Sequence, residues 1–386
     1  MDYLDLLYDD LLSQGIAHPD WMLGAMAGAL TAFFVQLYYW LGRYGGLPRF
    51  RNNRGIRPQI PSPPVSVVVV IRENGYYFIE NYLPLLLGQR YDEFEVVAVD
   101  CSYDEEIGEL LHEKSLACSR LHVTAIKQQR SAGHGTKLAL TVGIKACAYE
   151  HIVFTTTDCY PSSDKWLSLM AKGFINGDIV IGYCGIEPGK GLANRLMRCS
   201  RLAGSVRWLS AATRGRAYRG IAGNIGYTKS LYFESRGFNY LNMEIGDDDL
   251  FIQKIATSDN VSVVMNPAAT MRQVPFGGLG WWRAVRRFYA YSFRYYPARV
   301  KRSVRTELSS RLLFFALSAT AALLLPPPLI AVPLSLVLIR LLLPADAAAG
   351  AQCRTGTVRR HQQLTVNDFA ALKRKADALL AATDRF

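Results

Sequence analysis

The 386-residue chain predicts an α/β fold, a mainly parallel sheet covered by helices, with N-terminal and C-terminal transmembrane helices on either side of it. Three observations predict this. Residues 60–270 alternate short β-branched runs with helical patterns, the βαβ rhythm of a parallel sheet buried on both faces. Apolar blocks at 21–42 and 312–343 bracket that stretch and reach the length scale of a bilayer. The run Gly246-Asp247-Asp248-Asp249-Leu250-Phe251 places three acids directly before an amphipathic segment, Leu250 to Ala256, where a helix start favours negative charge.

Residues 1–20 carry Asp2, Asp5, Asp9, Asp10 and Asp20 and no Lys or Arg. A signal peptide would place basic residues before its apolar core, so Trp21 to Gly42 reads as a retained anchor. It spans roughly 33 Å at ~1.5 Å per residue, interrupted only by Thr31 and Gln36. Arg43, Arg49, Arg51, Arg54 and Arg57 follow without an acid, which puts the next domain on the cytoplasmic side and the acidic N-terminus outside. A basic, Pro-rich linker (43–64) leads into the domain at 65–278.

Val65–Ile71, Phe94–Asp100, Leu121–Lys127 and His151–Thr157 read as strands, and Phe78–Gln89, Asp104–Cys118 and Thr136–Tyr149 as the helices between them. There is no internal repeat. Ligands of such sheets bind outside the carboxyl ends of the strands. Asp100 ends the second strand and Asp158 follows the fourth, so both project from that edge. One suits a base or ribose, the other a divalent cation carrying a diphosphate. Either is also a common turn former or helix cap. The same two readings apply to the acid cluster, a general base or a cap. Gly223-Asn224 is a flexible loop whose Asn lines a site or simply adopts a turn.

Residues 279–310 interleave Trp281, Trp282, Phe288, Tyr289, Tyr291, Phe293, Tyr295 and Tyr296 with Arg283, Arg286, Arg287, Arg294 and Arg299. That pattern suits a helix in the headgroup region, or a core helix with a solvated basic face. The block at 312–343, broken at Pro326-Pro327-Pro328 and Pro333, reads as a transmembrane hairpin or a re-entrant pair. Both return the chain to its starting side, and the tail 344–386 is basic, as cytoplasmic sequence should be. The formal charge of +12 is thereby assigned to membrane lipids. No basic helix or stacking motif of a nucleic-acid module is present, so nucleic acid is not an expected partner. Seven cysteines, an odd number without a CxxC pair, indicate reduced thiols and neither a zinc site nor a disulfide framework.

Val65-Ser66-Val67-Val68-Val69-Val70-Ile71, Leu83 to Asp100 with Gln89-Arg90-Tyr91, Gly135-Thr136-Lys137-Leu138-Ala139-Leu140, Thr155-Thr156-Thr157-Asp158, Gly223-Asn224-Ile225-Gly226-Tyr227-Thr228-Lys229 and Gly246-Asp247-Asp248-Asp249-Leu250-Phe251 occur in an order that resembles the family 2 inverting glycosyltransferases. The resemblance covers about residues 60–295, and the flanking anchors are similar to non-processive, membrane-bound bacterial members at the inner (cytoplasmic) membrane.

The resemblance implies a GT-A domain that binds a nucleoside-diphosphate sugar, a UDP-sugar by preference, with Mg²⁺ or Mn²⁺. It would transfer one sugar with inversion to a lipid-linked or other saccharide acceptor in cell-envelope glycan synthesis. Asp100 would contact the nucleobase, Lys137 would lie near the nucleotide, and Asp158 would ligate the metal. Asp248, with Asp247 as the alternative, would be the base; Gly223 and Asn224 would line the acceptor or donor-sugar loop. Three positions depart from the family pattern. The first acid of Asp-x-Asp is Thr156, the acid pair at the second strand's end reads Asp100-Cys101, and the Gln-x-x-Arg-Trp motif of processive enzymes is eroded near 282–288. A catalytically weakened membrane scaffold that binds sugar nucleotide is the other class, and a sugar-nucleotide hydrolase or nucleotidyltransferase a third.

Overall fold

The computed structural model describes residues 19–45, 62–102, 104–126, 135–241, 246–325 and 329–352. The acidic segment before residue 19, the arginines at 49–57, Tyr103, Lys127, Pro326 to Pro328 and the tail beyond 352 lie outside the described residues.

Among the described residues ten strands form two sheets. They are β1 (Val65–Ile71), β2 (Phe94–Asp100), β3 (Leu121–Ala125), β4 (His151–Thr156), β5 (Cys159–Pro161), β6 (Ile179–Gly182), β7 (Cys184–Ile186), β8 (Ile225–Thr228), β9 (Val261–Val264) and β10 (Met271–Gln273). The larger sheet has the order β3-β2-β1-β4-β8-β6-β9 and the smaller β5-β10-β7. β1 runs parallel to β2, with Ile71 opposite Asp100, and parallel to β4, with Val70 opposite Thr156. β8 is antiparallel to both β4 and β6. β1 and β2 are buried along nearly their whole length, as runs of Val and Ile covered on both faces must be. The polar exceptions meet each other: Ser66 Oγ and Ala148 N both donate to Glu95 Oε1.

The helices are α1 (Pro19–Leu37), which continues into a π-helical turn Tyr38–Tyr44, and a composite α2 over 75–87. Then follow α3 (Glu105–Ala117), α4 (Gly135–Ala146), α5 (Trp166–Gly173), α6 (Leu192–Ala212), α7 (Lys229–Glu234), α8 (Leu250–Ile255), α9 (Leu279–Ser292), α10 (Ala298–Leu324) and α11 (Ala331–Gln352). Asp104 caps α3 by accepting from Glu106 N at 3.1 Å.

Among the described residues two helices, Asp20–Tyr44 and Ala298–Leu324, are long and apolar enough to cross a membrane. They pack together through Met22, Ala25, Ala321 and Leu325, and through Ala32, Phe33 and Phe314, which Leu336 of α11 joins. Their outer faces leave Trp21 73% and Leu323 86% exposed, an apolar surface that water does not favour. Inside this bundle Gln36 donates to Ser310 Oγ at 2.7 Å and accepts from Arg340 Nε at 3.0 Å. Glu307, 1% exposed, pairs with Arg311 and, at 3.3 Å, with Arg207 of α6. Arg214 Nη1 also donates to Arg43 O at 2.8 Å. The apolar helices are thus bonded directly to the sheet domain.

Two boundaries differ from expectation. Residues 298–310 share one helix with the apolar stretch: α9 ends at Ser292, and Pro297 precedes an unbroken α10 that carries the basic residues straight into it. Pro333 does not split a helix, because it sits in the first turn of α11, where its missing N–H has no helical partner to lose.

Candidate active site

The chain lays down β1, β2 and β3 in one direction and returns to place β4 on the other side of β1. That reversal opens a crevice outside the carboxyl ends of β1 and β4. Asp100 and Asp158 stand on this edge, as their positions after β2 and β4 require. Asp100 is buried, and its Oδ1 accepts from Ser102 N at 2.9 Å and Ser102 Oγ at 2.7 Å. It is therefore a turn former and an edge carboxylate at once.

Asp158 is held at both oxygens. Thr156 Oγ1 donates to Oδ1 at 2.6 Å and Gln273 Nε2 of β10 donates to Oδ2 at 2.8 Å. Thr156, where the motif would have an acid, orients the remaining carboxylate. Gln273 Oε1 in turn accepts from Arg201 Nη2 of α6 at 2.7 Å. Among the described residues no group of three or more His, Cys, Asp or Glu converges. A divalent ion fits here only with Asp158 as its protein carboxylate and with substrate phosphate oxygens and water completing its shell, an arrangement common for Mg²⁺.

The three acids of the cluster separate into different roles. Gly246 has φ +100°, a left-handed turn in which a Cβ would also stand 2.7 Å from Leu250 Cδ1. Asp249 is the cap: its Oδ1 accepts from Leu250 N at 2.7 Å, and its Oδ2 accepts from Ser292 Oγ and from Tyr296 OH at 2.7 Å. Asp248 is 4% exposed; its Oδ2 accepts from Tyr289 OH at 2.6 Å, and its Oδ1 is buried without a partner among the described residues. Burial first, then the Asp249 and Asp247 charges, raise its pKa to about 8, against the Tyr289 hydrogen bond and the Arg219 charge. Asp247 is less enclosed and is also raised, by burial, with its own backbone N–H and Lys137 pulling the other way. A carboxylate whose pKa is raised toward the neutral range, with one buried oxygen still without a partner among the described residues, suits proton transfer.

Four residues unmarked by the sequence reading complete this arrangement. Tyr289 and Ser292 come from α9, so this aromatic, Arg-rich helix presses its inner face on the acids. The Arg219 guanidinium lies 3.4 Å from the centre of the Tyr289 ring. Burial and the Asp248 charge hold the Tyr289 hydroxyl well above its usual range, opposed by Arg219 and Arg201. Arg201 thereby acts on both halves of the site, through Gln273 on Asp158 and through Tyr289 on Asp248. The order of aromatic and basic residues in α9 signals such a helix, but nothing local marks the one Tyr that meets an acid 41 residues earlier.

Lys137 donates to Leu241 O at 2.9 Å, and its charge acts on Asp247, so it stands beside the acid cluster. Gly223 is a close approach: a Cβ there would lie 2.6 Å from Cys159 Sγ and 3.1 Å from Cys184 Sγ. Asn224 does not line an acceptor surface. It is completely buried; its Oδ1 accepts from Trp166 Nε1 at 2.9 Å, and its Nδ2 donates to Tyr183 O at 2.8 Å and Ala269 O at 2.9 Å. An amide with both N–H groups spent inside the core binds α5 to the smaller sheet, which corrects the expected acceptor-side role.

No protein-family model and no curated protein matches the chain. Solved structures do match in fold. A mannosyltransferase from Pyrobaculum calidifontis, PcManGT, in complex with GDP-Man and Mn²⁺, aligns over 86% of this chain and 98% of its own with a TM-score of 0.55 and 18% identity. S. aureus TarS 1-349 with UDP-GlcNAc aligns over 55% and 58% with a TM-score of 0.38 and 21% identity. GalNAc-T7 with UDP, GalNAc and Mn²⁺ aligns over 55% and 44% with a TM-score of 0.41 and 13% identity. The mostly parallel sheet, its switch point and the terminal apolar helices give this chain the GT-A-like fold of glycosyltransferases.

Proposed function

We propose that the chain is a membrane-associated inverting glycosyltransferase of the family 2 type, moving one sugar from a nucleoside diphosphate, UDP by preference, to a lipid-linked or other membrane-associated acceptor in cell-envelope glycan synthesis. The observation that carries this reading is a pair of carboxylates on a GT-A-like sheet, Asp158 bonded through Gln273 to Arg201 and Asp248 buried and bonded to Tyr289.

Asp100 reaches toward the nucleobase from the end of β2. Asp158, held by Thr156 and Gln273, would carry a Mg²⁺ or Mn²⁺ ion that neutralises the departing diphosphate. Asp248 accepts the acceptor hydroxyl proton through its unpartnered Oδ1 as that oxygen forms the new glycosidic bond and the bond from the sugar carbon to the diphosphate breaks on the opposite face. Tyr289 and Arg219 keep the carboxylate ionisable in a buried setting. Asp247, less enclosed and beside Lys137, is the alternative base. The exposed apolar faces of α1 and α10 and the basic faces around them support a cytoplasmic-membrane location with the sheet domain on the cytoplasmic side.

A scaffold that binds sugar nucleotide without turning it over is the second reading, favoured by one observation: Asp158 has both oxygens already bonded, and among the described residues no group of three or more His, Cys, Asp or Glu converges on it. Nucleotide release from a panel of UDP- and GDP-sugars by the full chain in lipid extract separates the two. Release that requires a divalent ion and is lost in Asp248→Asn and Asp158→Ala supports the transferase; nucleotide binding without release from any donor or lipid supports the scaffold.

A further inference from the structure

A single amide stands between the Asp158 carboxylate and a guanidinium. Gln273 Nε2 donates to Asp158 Oδ2 at 2.8 Å, and Gln273 Oε1 accepts from Arg201 Nη2 at 2.7 Å. A carboxylate only accepts and a guanidinium only donates, so the amide has one orientation, with its N–H edge on Asp158. Arg201 holds it there.

That bond is not needed to aim Asp158. Thr156 Oγ1 already donates to Oδ1 at 2.6 Å, and Val274 N donates to Asp158 O at 2.8 Å. The Gln273 backbone is fixed as well: β10 is the middle strand of the smaller sheet, and Gln273 lies opposite Cys159 on one side and Ile186 on the other. Its half-buried side chain can therefore leave Asp158 by a change of rotamer while the strands stay in place. Arg201 is open to a further partner, since its Nη1 is buried without an acceptor among the described residues. Guanidinium groups form their strongest bonds to carboxylate and phosphate oxygens, often two at once, so a phosphate displaces a neutral amide oxygen from Arg201.

Resting on the glycosyltransferase reading, we infer that Gln273 is a latch that makes uptake of the divalent ion and of the donor diphosphate mutually dependent: Gln273 yields Asp158 Oδ2 to the ion, and Arg201 exchanges Gln273 Oε1 for a diphosphate oxygen. Gln273 is a positioning residue, acting through Asp158 and Arg201. Either ligand alone has to open the latch, and the second then finds it open, which is a positive coupling between the two. The amide is the side chain of this length that serves both neighbours. A Glu would bond Arg201 and repel Asp158, and a Met would bond neither.

The test uses the full chain in uncharged detergent micelles, with Mn²⁺ and UDP as probes. Bound Mn²⁺ is read from the loss of the free-ion electron paramagnetic resonance signal, and UDP by equilibrium dialysis. Gln273→Met keeps the side-chain length and removes both bonds. It is expected to bind Mn²⁺ alone about tenfold more tightly than wild type, the weight of a hydrogen bond to a charged group. It should also bind UDP alone more tightly, and the factor by which UDP tightens Mn²⁺ binding should shrink. A side chain that merely props Asp158 predicts the opposite sign, weaker Mn²⁺ binding on its removal. Gln273→Ala repeats the measurement should Gln273→Met not fold. Unchanged or weaker Mn²⁺ binding in the folded variants, in a chain whose wild type releases nucleotide, overturns the inference and leaves the transferase reading. Mn²⁺ binding that survives Asp158→Ala overturns the inference too, because the ion then sits elsewhere. Tighter Mn²⁺ binding in Gln273→Met, in a chain whose wild type releases no nucleotide from any donor, supports the latch and refutes the transferase reading.

Discussion

Replacing Tyr289 by phenylalanine keeps the ring under Arg219 and deletes one O–H, the donor to Asp248 Oδ2 at 2.6 Å. Asp248 Oδ1 has no partner to compensate. A hydrogen bond to a charged group contributes about 1.5–3 kcal/mol, and one pH unit corresponds to about 1.4 kcal/mol. The bond favours the ionised form, so its loss raises the Asp248 pKa, already about 8, by about one to two units. The active form is the carboxylate, so activity rises with pH through that value. Nucleotide release measured from pH 5 to 11 at saturating donor should show the alkaline-rising limb of Tyr289→Phe displaced upward, with roughly tenfold or greater loss at pH 7 and recovery toward wild type at the top of the range. A limb that stays in place while the rate falls equally at every pH would refute the positioning argument, because Tyr289 would then act through shape alone.

Asp248→Asn should abolish release while stabilising the fold at pH 8 by about 1–2 kcal/mol, read as the denaturant midpoint. The raised folded-state value means that the Asp248 contribution is fully present below the unfolded carboxylate range and is lost as pH rises toward about 8, a slope the variant should lack. Chelation should stop release and Mn²⁺ or Mg²⁺ restore it, whereas Asp158→Ala should leave no metal response in the same assay. Asn224→Ala orphans Trp166 Nε1 and the Ala269 carbonyl, while Tyr183 O keeps Met271 N, and should cost about 2–4 kcal/mol of stability, with the acceptor KM of the folded fraction unchanged. Glu307→Gln uncouples Arg207 and Arg311 within a buried ion pair, for which breaking one partner costs about 3–5 kcal/mol; limited proteolysis should then cut between α9 and α10 faster than in wild type.

The strands that carry the edge of the site were legible because they are long and wholly buried: Val65–Ile71 and Phe94–Asp100 occur where the apolar runs place them. The strands β5, β7 and β10 have three residues each, too few for any period to register, and yet they supply Gln273 and fix Asp158. For the acid cluster the capping and catalytic readings both apply, to neighbouring residues: Asp249 caps α8 and Asp248 does not. Tyr289, Arg219, Arg201 and Gln273 were illegible for a common reason. Each acts across a long stretch of chain, as Gln273 does on Asp158 115 residues away, and folding alone creates the pairing. Asn224 misled in the opposite sense, since a Gly-Asn loop looks the same in sequence whether its amide faces a ligand or, as here, the core.

The Arg207 to Glu307 bridge joins the helix that carries Arg201 to a helix long enough to cross a bilayer. A helix is stiff along its axis, with a rise of about 1.5 Å per residue, so clamping one end of α6 to α10 sets the elevation of Asp158 and Asp248 above the lipid plane. Under the proposed transferase reading, with those helices in a bilayer, the chain would work as a gauge with one end fixed in the lipid: an acceptor whose hydroxyl projects to that elevation would meet Asp248, and a shorter or longer one would be passed over.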